Sequence, residues 1–212
     1  MVAYRFMSAA NLGRILEPIV TRSLYCASPE ELNDALEGRR APVTGLVYPY
    51  REHWQELAAG LRVCSFSKEF DNHLLWAYYA NGFRGVALEF ELQDEPGGPS
   101  RLRVVKYVEN ALEQRVSSDP LTAAYDSLTC KSSNWSHENE VRIITPAANL
   151  REGKYYGDAI LKRVIIGFRL EGIEYDTLTL ICRQFGVPYE TAKTSFRQRK
   201  LVGLGGIYLS DR

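Results

Sequence analysis

Apolar and polar positions alternate along several short stretches of this chain, and elsewhere apolar residues recur every three or four positions. Alternation marks strands with one buried face, and the longer period marks amphipathic helices. Read this way, Val2 to Phe6, Leu61 to Ser67, Gly85 to Glu91, Leu102 to Val108 and Val141 to Thr145 are predicted strands. Arg22 to Cys26 and Val202 to Leu209 read as extended, and Lys162 to Phe168 is a strand rich in Val and Ile. Leu12, Ile15, Leu16 and Ile19 share one face of a first helix, which Ser8 or Asn11 can cap. Ser28-Pro29-Glu30-Glu31 is a second helix start, with Ser at the cap and Pro at the first position.

Four more helices follow from the same signals. They are Arg51 to Ala59, Leu74 to Ala80, Asp119-Pro120 to about Cys130, and Glu171 to Phe185. Asp71 or Asn72 caps the second of these and Asn81-Gly82 stops it, while Gly186 closes the last. Asn33-Asp34, with Glu37, suits an architectural turn held by local backbone hydrogen bonds. Gln93 to Ser100 reads as a long turn between strands. Strands and helices mix without strict βαβ repetition. The expected fold is α+β, a mixed and largely antiparallel sheet with flanking helices. No repeat or low-complexity tract divides residues 1–212, so one domain is expected.

Composition narrows the function classes. Lys plus Arg equals Asp plus Glu at 26 each, which argues against a mainly electrostatic nucleic-acid binder. A local patch such as Arg197-Gln198-Arg199-Lys200 remains open to a nucleic-acid substrate. Cys26, Cys64, Cys130 and Cys182 form no CxxC pair or His/Cys cluster, so no structural zinc is expected. No leader-like segment precedes the first predicted strand, and no apolar run approaches membrane-spanning length. The expected setting is a reducing cytoplasm without membrane attachment.

Candidate chemistry gathers in four places. Arg5 interrupts an apolar strand, and a half-buried Arg needs an anion, either a structural carboxylate or a ligand phosphate. Ser65 and Ser67 share a strand face and offer two hydroxyls to a ligand or a carboxylate. Trp76, Tyr78 and Tyr79 cannot all face one core, so Trp76 is expected inside and one Tyr at a groove or flat ligand. Glu138 and Glu140 stand two residues apart at the entry to an apolar strand, just after Trp135 and His137. In an extended chain they would face the same way, and two close like charges would raise one pKa. Arg142 follows closely and could pair with either, which would lower that carboxyl instead.

Two resemblances follow from these residues. Tyr4-Arg5, Asn33 to Glu37, Cys64 to Ser67, Leu75 to Ala80, Gly85-Val86, Lys131 with Trp135, and Glu138 to Arg142 resemble a widespread bacterial family of unknown function. Its members carry ND-x-x-E, CFS, LWA-x-Y and W-x-x-E-x-E-x-R segments, and the resemblance brings no activity with it. A more remote resemblance concerns layout. Arg on a first strand, Ser-x-Ser on a middle strand and Glu-x-Glu entering a late strand that ends near Pro146 are similar to the Arg-Ser-Glu group of ADP-ribosyltransferases. The opening from Arg5 through Ser8 to Asn11-Leu12 and Ile15-Leu16 is similar to DNA-modifying members of that group. Phe66 stands where that group usually has Thr.

That second resemblance implies an ADP-ribosyltransferase-like fold and NAD as a substrate, with no metal. Arg5 and Ser8 would hold NAD, Ser65 and Ser67 would shape the nicotinamide-ribose site, and Tyr78 or Tyr79 would stack on nicotinamide. Glu140 would stabilise the ribosyl cation and Glu138 would orient or deprotonate the acceptor. Trp135 and His137 would lie on the loop that meets it. The expected setting is a toxin, effector or phage-defence protein, with a protein or nucleic-acid acceptor and an antitoxin or other regulatory partner. Two alternatives stand beside it. One is a metal-dependent nuclease or phosphodiesterase with Asp126, Glu138 and Glu140 on Mg²⁺. The other is a non-catalytic interaction domain in which Arg5 and Arg142 neutralise the glutamates.

Overall fold

The computed structural model describes residues 1–34, 50–94, 100–109, 119–195 and 200–203, with backbone alone for 50–53, 193–195 and 200–203. Glu37, the centre of the Gln93 to Ser100 turn, Arg197 to Arg199 and the extended segment past Gly203 lie outside the described residues. In chain order the strands are β1 (Val2–Ser8), β2 (Leu24–Tyr25), β3 (Leu61–Ser67), β4 (Gly85–Leu92), β5 (Arg101–Val104) and β6 (Lys106–Val108). They continue as β7 (Cys130–Ser132), β8 (Glu140–Pro146), β9 (Lys154–Tyr155), β10 (Ala159–Ile166), β11 (Tyr189–Ser195) and β12 (Lys200–Gly203). The helices are α1 (Leu12–Val20), α2 (Tyr50–Ala59), α3 (His73–Tyr78), α4 (Pro120–Ser127) and α5 (Ile173–Gln184).

These elements gather into two compact units, each drawn from separated stretches of sequence. The first takes Met1–Leu24, Phe66–Gln93 and Tyr156–Arg212, and the second takes Tyr25–Ser65 and Asp94–Tyr155. The chain leaves the first unit and returns to it, so no linker of distinctive composition separates the two.

In the first unit β1 pairs antiparallel with β4 along its length, from Val2↔Glu91 to Ser8↔Gly85. β4 pairs antiparallel with β10, β10 runs parallel to β11, and β11 pairs antiparallel with β12. The sheet is mixed and mostly antiparallel, with helices flanking it. Its core is aromatic: Trp76 stacks on Phe83 (5.1 Å between centroids, 8°) and meets Phe6 edge-on at 5.2 Å. The indole N–H donates to the Phe70 carbonyl at 3.1 Å, so the buried ring leaves no polar cost. The strand at Gly85 lies so close to β1 that a Cβ there would sit 2.1 Å from the Met7 carbonyl oxygen. A polar row crosses this unit's sheet, where Arg163 on β10 binds Glu89 on β4 (2.7 Å) and Glu190 on β11 (2.7 Å).

The second unit buries Trp54 and Ala58 of α2 and Ala123 and Ala124 of α4 against Leu61, Val63 and Ile144 of its strands. The two alanines let α4 approach α2 closely. Leu128, at the end of α4, completes that cluster. β5 pairs antiparallel with β8, and β6 runs parallel to β7.

Three sequence expectations are corrected here. Leu102 to Val108 is two strands, broken at Val105. Val105 N–H donates to the Glu140 carbonyl (3.0 Å), but Lys106 N–H turns to the Thr129 carbonyl (2.8 Å), so β6 acquires a different partner. The helix opened by Asp119-Pro120 ends at Ser127, and Cys130 begins β7. Thr129 terminates it by donating its hydroxyl back to the Tyr125 carbonyl (3.0 Å). Third, the Glu138/Glu140 pair does not lie in one extended strand. Glu138 ends a 3-10 turn over Ser133–Glu138, Asn139 is left-handed (φ 41°, ψ 54°), and Glu140 opens β8.

Candidate functional site

Asn139 turns the chain between the two glutamates. A left-handed residue other than Gly is most often Asn or Asp, whose short polar side chain tolerates it. The reversal sends the Glu138 side chain back toward β7, and strand alternation pairs Glu140 with Arg142 two residues on. The backbone of Glu140 is fixed on both sides. Its N–H donates to the Tyr107 hydroxyl on β6 (2.8 Å), and its carbonyl accepts from Val105. The break in the β5–β6 segment therefore anchors this residue. Burial pushes the Tyr107 hydroxyl up to about 12, and the two carboxylates add to that rise.

Two cations complete the cluster. Arg142 forms a bidentate fork on Glu140, with Nε on Oε1 and Nη2 on Oε2, both at 2.7 Å. Its Nη1 donates to the Leu128 carbonyl at 2.6 Å, at the C-terminal end of α4 where a positive charge is favoured. Lys131 Nζ lies 2.5 Å from Glu138 and 3.1 Å from Glu140. All four residues are at most 5% exposed. Burial alone would raise the Glu140 carboxyl. The Arg142 charge and hydrogen bonds, helped by Lys131 and a Ser65 hydrogen bond, outweigh it and hold the carboxyl below its ordinary value of 4.5. For Glu140 the expected rise from a neighbouring like charge is thus corrected, because two cations sit closer to it than that argument allowed.

Around this centre, the Trp135 ring lies 5.2 Å from Lys131 Nζ, and His137 stacks on Trp135 (6.1 Å, 28°). Both sit on the 3-10 turn that leads to Glu138. Ser65, half-buried near the end of β3, adds a small lowering influence on the Glu140 carboxyl. The second unit thus brings together Ser65, Trp135, His137, Glu138 and Glu140 of the expected site residues.

Arg5, Ser8, Ser67, Tyr78 and Tyr79 belong to the first unit. Arg5 is half-buried on β1. The Ser8 hydroxyl accepts from Ala10 N–H (3.2 Å) and the Ser67 hydroxyl from Glu69 N–H (3.0 Å), so each serves a local turn. Trp76 is in the core, Tyr79 is half-buried, and Tyr78 is 67% exposed. Asp34 is buried.

Sequence reasoning missed the placement of Lys131 and Tyr107. The available signal was charge balance: two acids entering an apolar strand demand cations, and Lys131 and Arg142 flank them in sequence. Among the described residues, no group of three or more His, Cys, Asp or Glu side chains is placed to hold a metal ion. Asp126 does not join the glutamates in such a group. No described helix is long and apolar enough to cross a membrane. No family model, no curated protein and no solved structure matches the chain. The two resemblances rest on their motifs alone.

Proposed function

We propose that the chain is an NAD-dependent ADP-ribosyltransferase-like enzyme that works as a toxin, effector or phage-defence protein. One observation carries the reading: Glu140 of the Glu-x-Glu segment is buried with its backbone N–H held by Tyr107, and its carboxyl is kept below the ordinary value by Arg142, Lys131 and, least, Ser65 of the Ser-x-Ser strand. Ser65 and Glu140 come from two motifs far apart in sequence and belong to the same compact unit. Glu140 is also an ionised carboxylate with a fixed backbone. Such a group stabilises a developing cation without reorganising at the moment of reaction.

In the proposed step, the bond between ribose C1′ and nicotinamide breaks and its electron pair leaves with neutral nicotinamide. The ribosyl cation left behind is stabilised by Glu140. A nucleophilic oxygen or nitrogen of the acceptor then bonds C1′ and gives its proton to Glu138. Trp135 and His137, on the turn before Glu138, face the acceptor. The acceptor is a protein or nucleic acid.

A second reading is favoured by a different observation. Arg142 and Lys131 together direct three donors at the Glu140 carboxylate, and both of its oxygens accept. In that reading the cluster is a neutral, buried structural tetrad within an interaction domain. Incubation with adenylate-labelled NAD and cell extract separates the two. The transferase reading expects label on a macromolecule with wild type, and at least about a hundredfold less with Glu140→Gln. It expects Glu138→Gln to impair transfer more than NAD hydrolysis, since water needs less positioning than a bulky acceptor. No labelling by folded wild type in any extract, and no hydrolysis, would leave the interaction domain as the better account.

A further inference from the structure

We propose that Lys131 is a positioning residue whose ammonium holds the carboxylates of Glu138 and Glu140 side by side while both remain ionised. The assignment deepens the transferase reading above, which requires Glu140 charged and Glu138 able to accept a proton. It starts from charge. Two carboxylates and two cations form the buried cluster, and Lys131 touches both acids. Arg142 is committed to Glu140 and to the Leu128 carbonyl. Two acids kept this close in a low-dielectric site cannot both ionise without a cation shared between them.

The location of Lys131 fits that task. Its strand, β7, is held in parallel register by β6, with Tyr107↔Lys131, and Tyr107 also binds the Glu140 backbone. One short pair of strands therefore sets both the cation and the acid. The Trp135 ring lies on Nζ, which adds a cation–π contact and limits its movement. Lys131 itself is only 4% exposed, so solvent does little to screen it. Without it, the pair loses the ammonium that touches both acids, and one carboxyl takes up a proton more readily.

The test is carboxyl-detected NMR titration of selectively labelled glutamate, on the full chain. Glu138→Gln and Glu140→Gln assign the two resonances. In Lys131→Met, one carboxyl of the pair should titrate at least about one pH unit higher than in wild type. Lys131→Arg should return it. Wild-type titration in folded Lys131→Met overturns the assignment. Lys131→Met/Glu138→Gln covers the case in which the single variant fails to fold, because it removes one carboxylate together with the cation that touches it. Recovery of the fold in the double variant supports charge balance, and an equally unfolded double variant overturns it in favour of packing. Where NAD is turned over, the pH profile of nicotinamide release should move to higher pH in Lys131→Met and return in Lys131→Arg. The titrations need no NAD. A wild type that leaves NAD intact overturns the transferase reading while the Lys131 assignment is judged on the carboxyls alone.

Discussion

At the scale of single residues, the site depends on one backbone reversal and one fork. Asn139 is left-handed, and any β-branched side chain there pays a steric penalty on each fold. Asn139→Val should therefore destabilise the protein by about 1–2 kcal/mol, with Asn139→Gly close to wild type, in urea unfolding. Arg142 lies 1% exposed against Glu140, so replacing it by Leu removes the bidentate partner of a buried carboxylate and leaves Lys131 shared between two acids. Removal of one partner from such a pair costs about 3–5 kcal/mol, far more than the net worth of the pair itself. The same ion pair gives stability a pH dependence. The folded Glu140 carboxyl titrates below its ordinary 4.5, so the unfolded chain binds the proton first as pH falls. The stabilisation is complete above the unfolded value and is lost as pH drops through the folded one. Urea midpoints measured from about pH 6 to about pH 3 should fall more steeply for wild type than for Glu140→Gln. Equal slopes would place Glu140 outside the ion-paired cluster. Because Glu140 is buried, Glu140→Gln should also lower stability, contrary to what a wet cleft would allow.

At the scale of elements, alternation and caps made most strands and helices legible. Leu61–Ser67 matches its expected bounds, and β4 and β8 each extend theirs by one or two residues. What local pattern could not carry was the choice of partner. Nothing in the alternation of Leu102 to Val108 announces that hydrogen bonding switches from β8 to β7 at Val105, because the switch is made by Thr129 and Glu140 far along the chain. The early end of α4 was hidden for a similar reason, since helical periodicity continues through Leu128 into the core while the backbone has already left the helix. Gly85 illustrates the opposite case, a residue whose reason is visible only in the pairing of β1 and β4. Gly85→Ala would drive its Cβ into the Met7 carbonyl and should cost about 1–3 kcal/mol by thermal unfolding. A variant as stable as wild type would mean that β1 and β4 sit further apart than described.

At the scale of the whole molecule, the order of predicted strands and helices made a mixed sheet with flanking helices legible, while the two compact units draw on separated segments. Each unit closes through distant segments, and sequence-local signals do not report such returns. The candidate site was legible as a set of residue types. Ser65, Glu138 and Glu140 could be named from motif order, while Lys131 and Tyr107 required the parallel β6–β7 pair to bring them in. Equal numbers of acidic and basic residues give the molecule no overall charge with which to gather a polyanionic acceptor. In the transferase reading, recognition of the acceptor would fall to a local basic patch or to short-range contacts such as Trp135 and His137. The central claim is that the fixed, ionised Glu140 stabilises a ribosyl cation. Its most direct test is nicotinamide release from NAD by the purified chain, with wild type beside Glu140→Gln at a temperature where both are folded. The account predicts measurable release by wild type and at least about a hundredfold loss in Glu140→Gln. Release at the same rate by both proteins, or none by wild type, would contradict it.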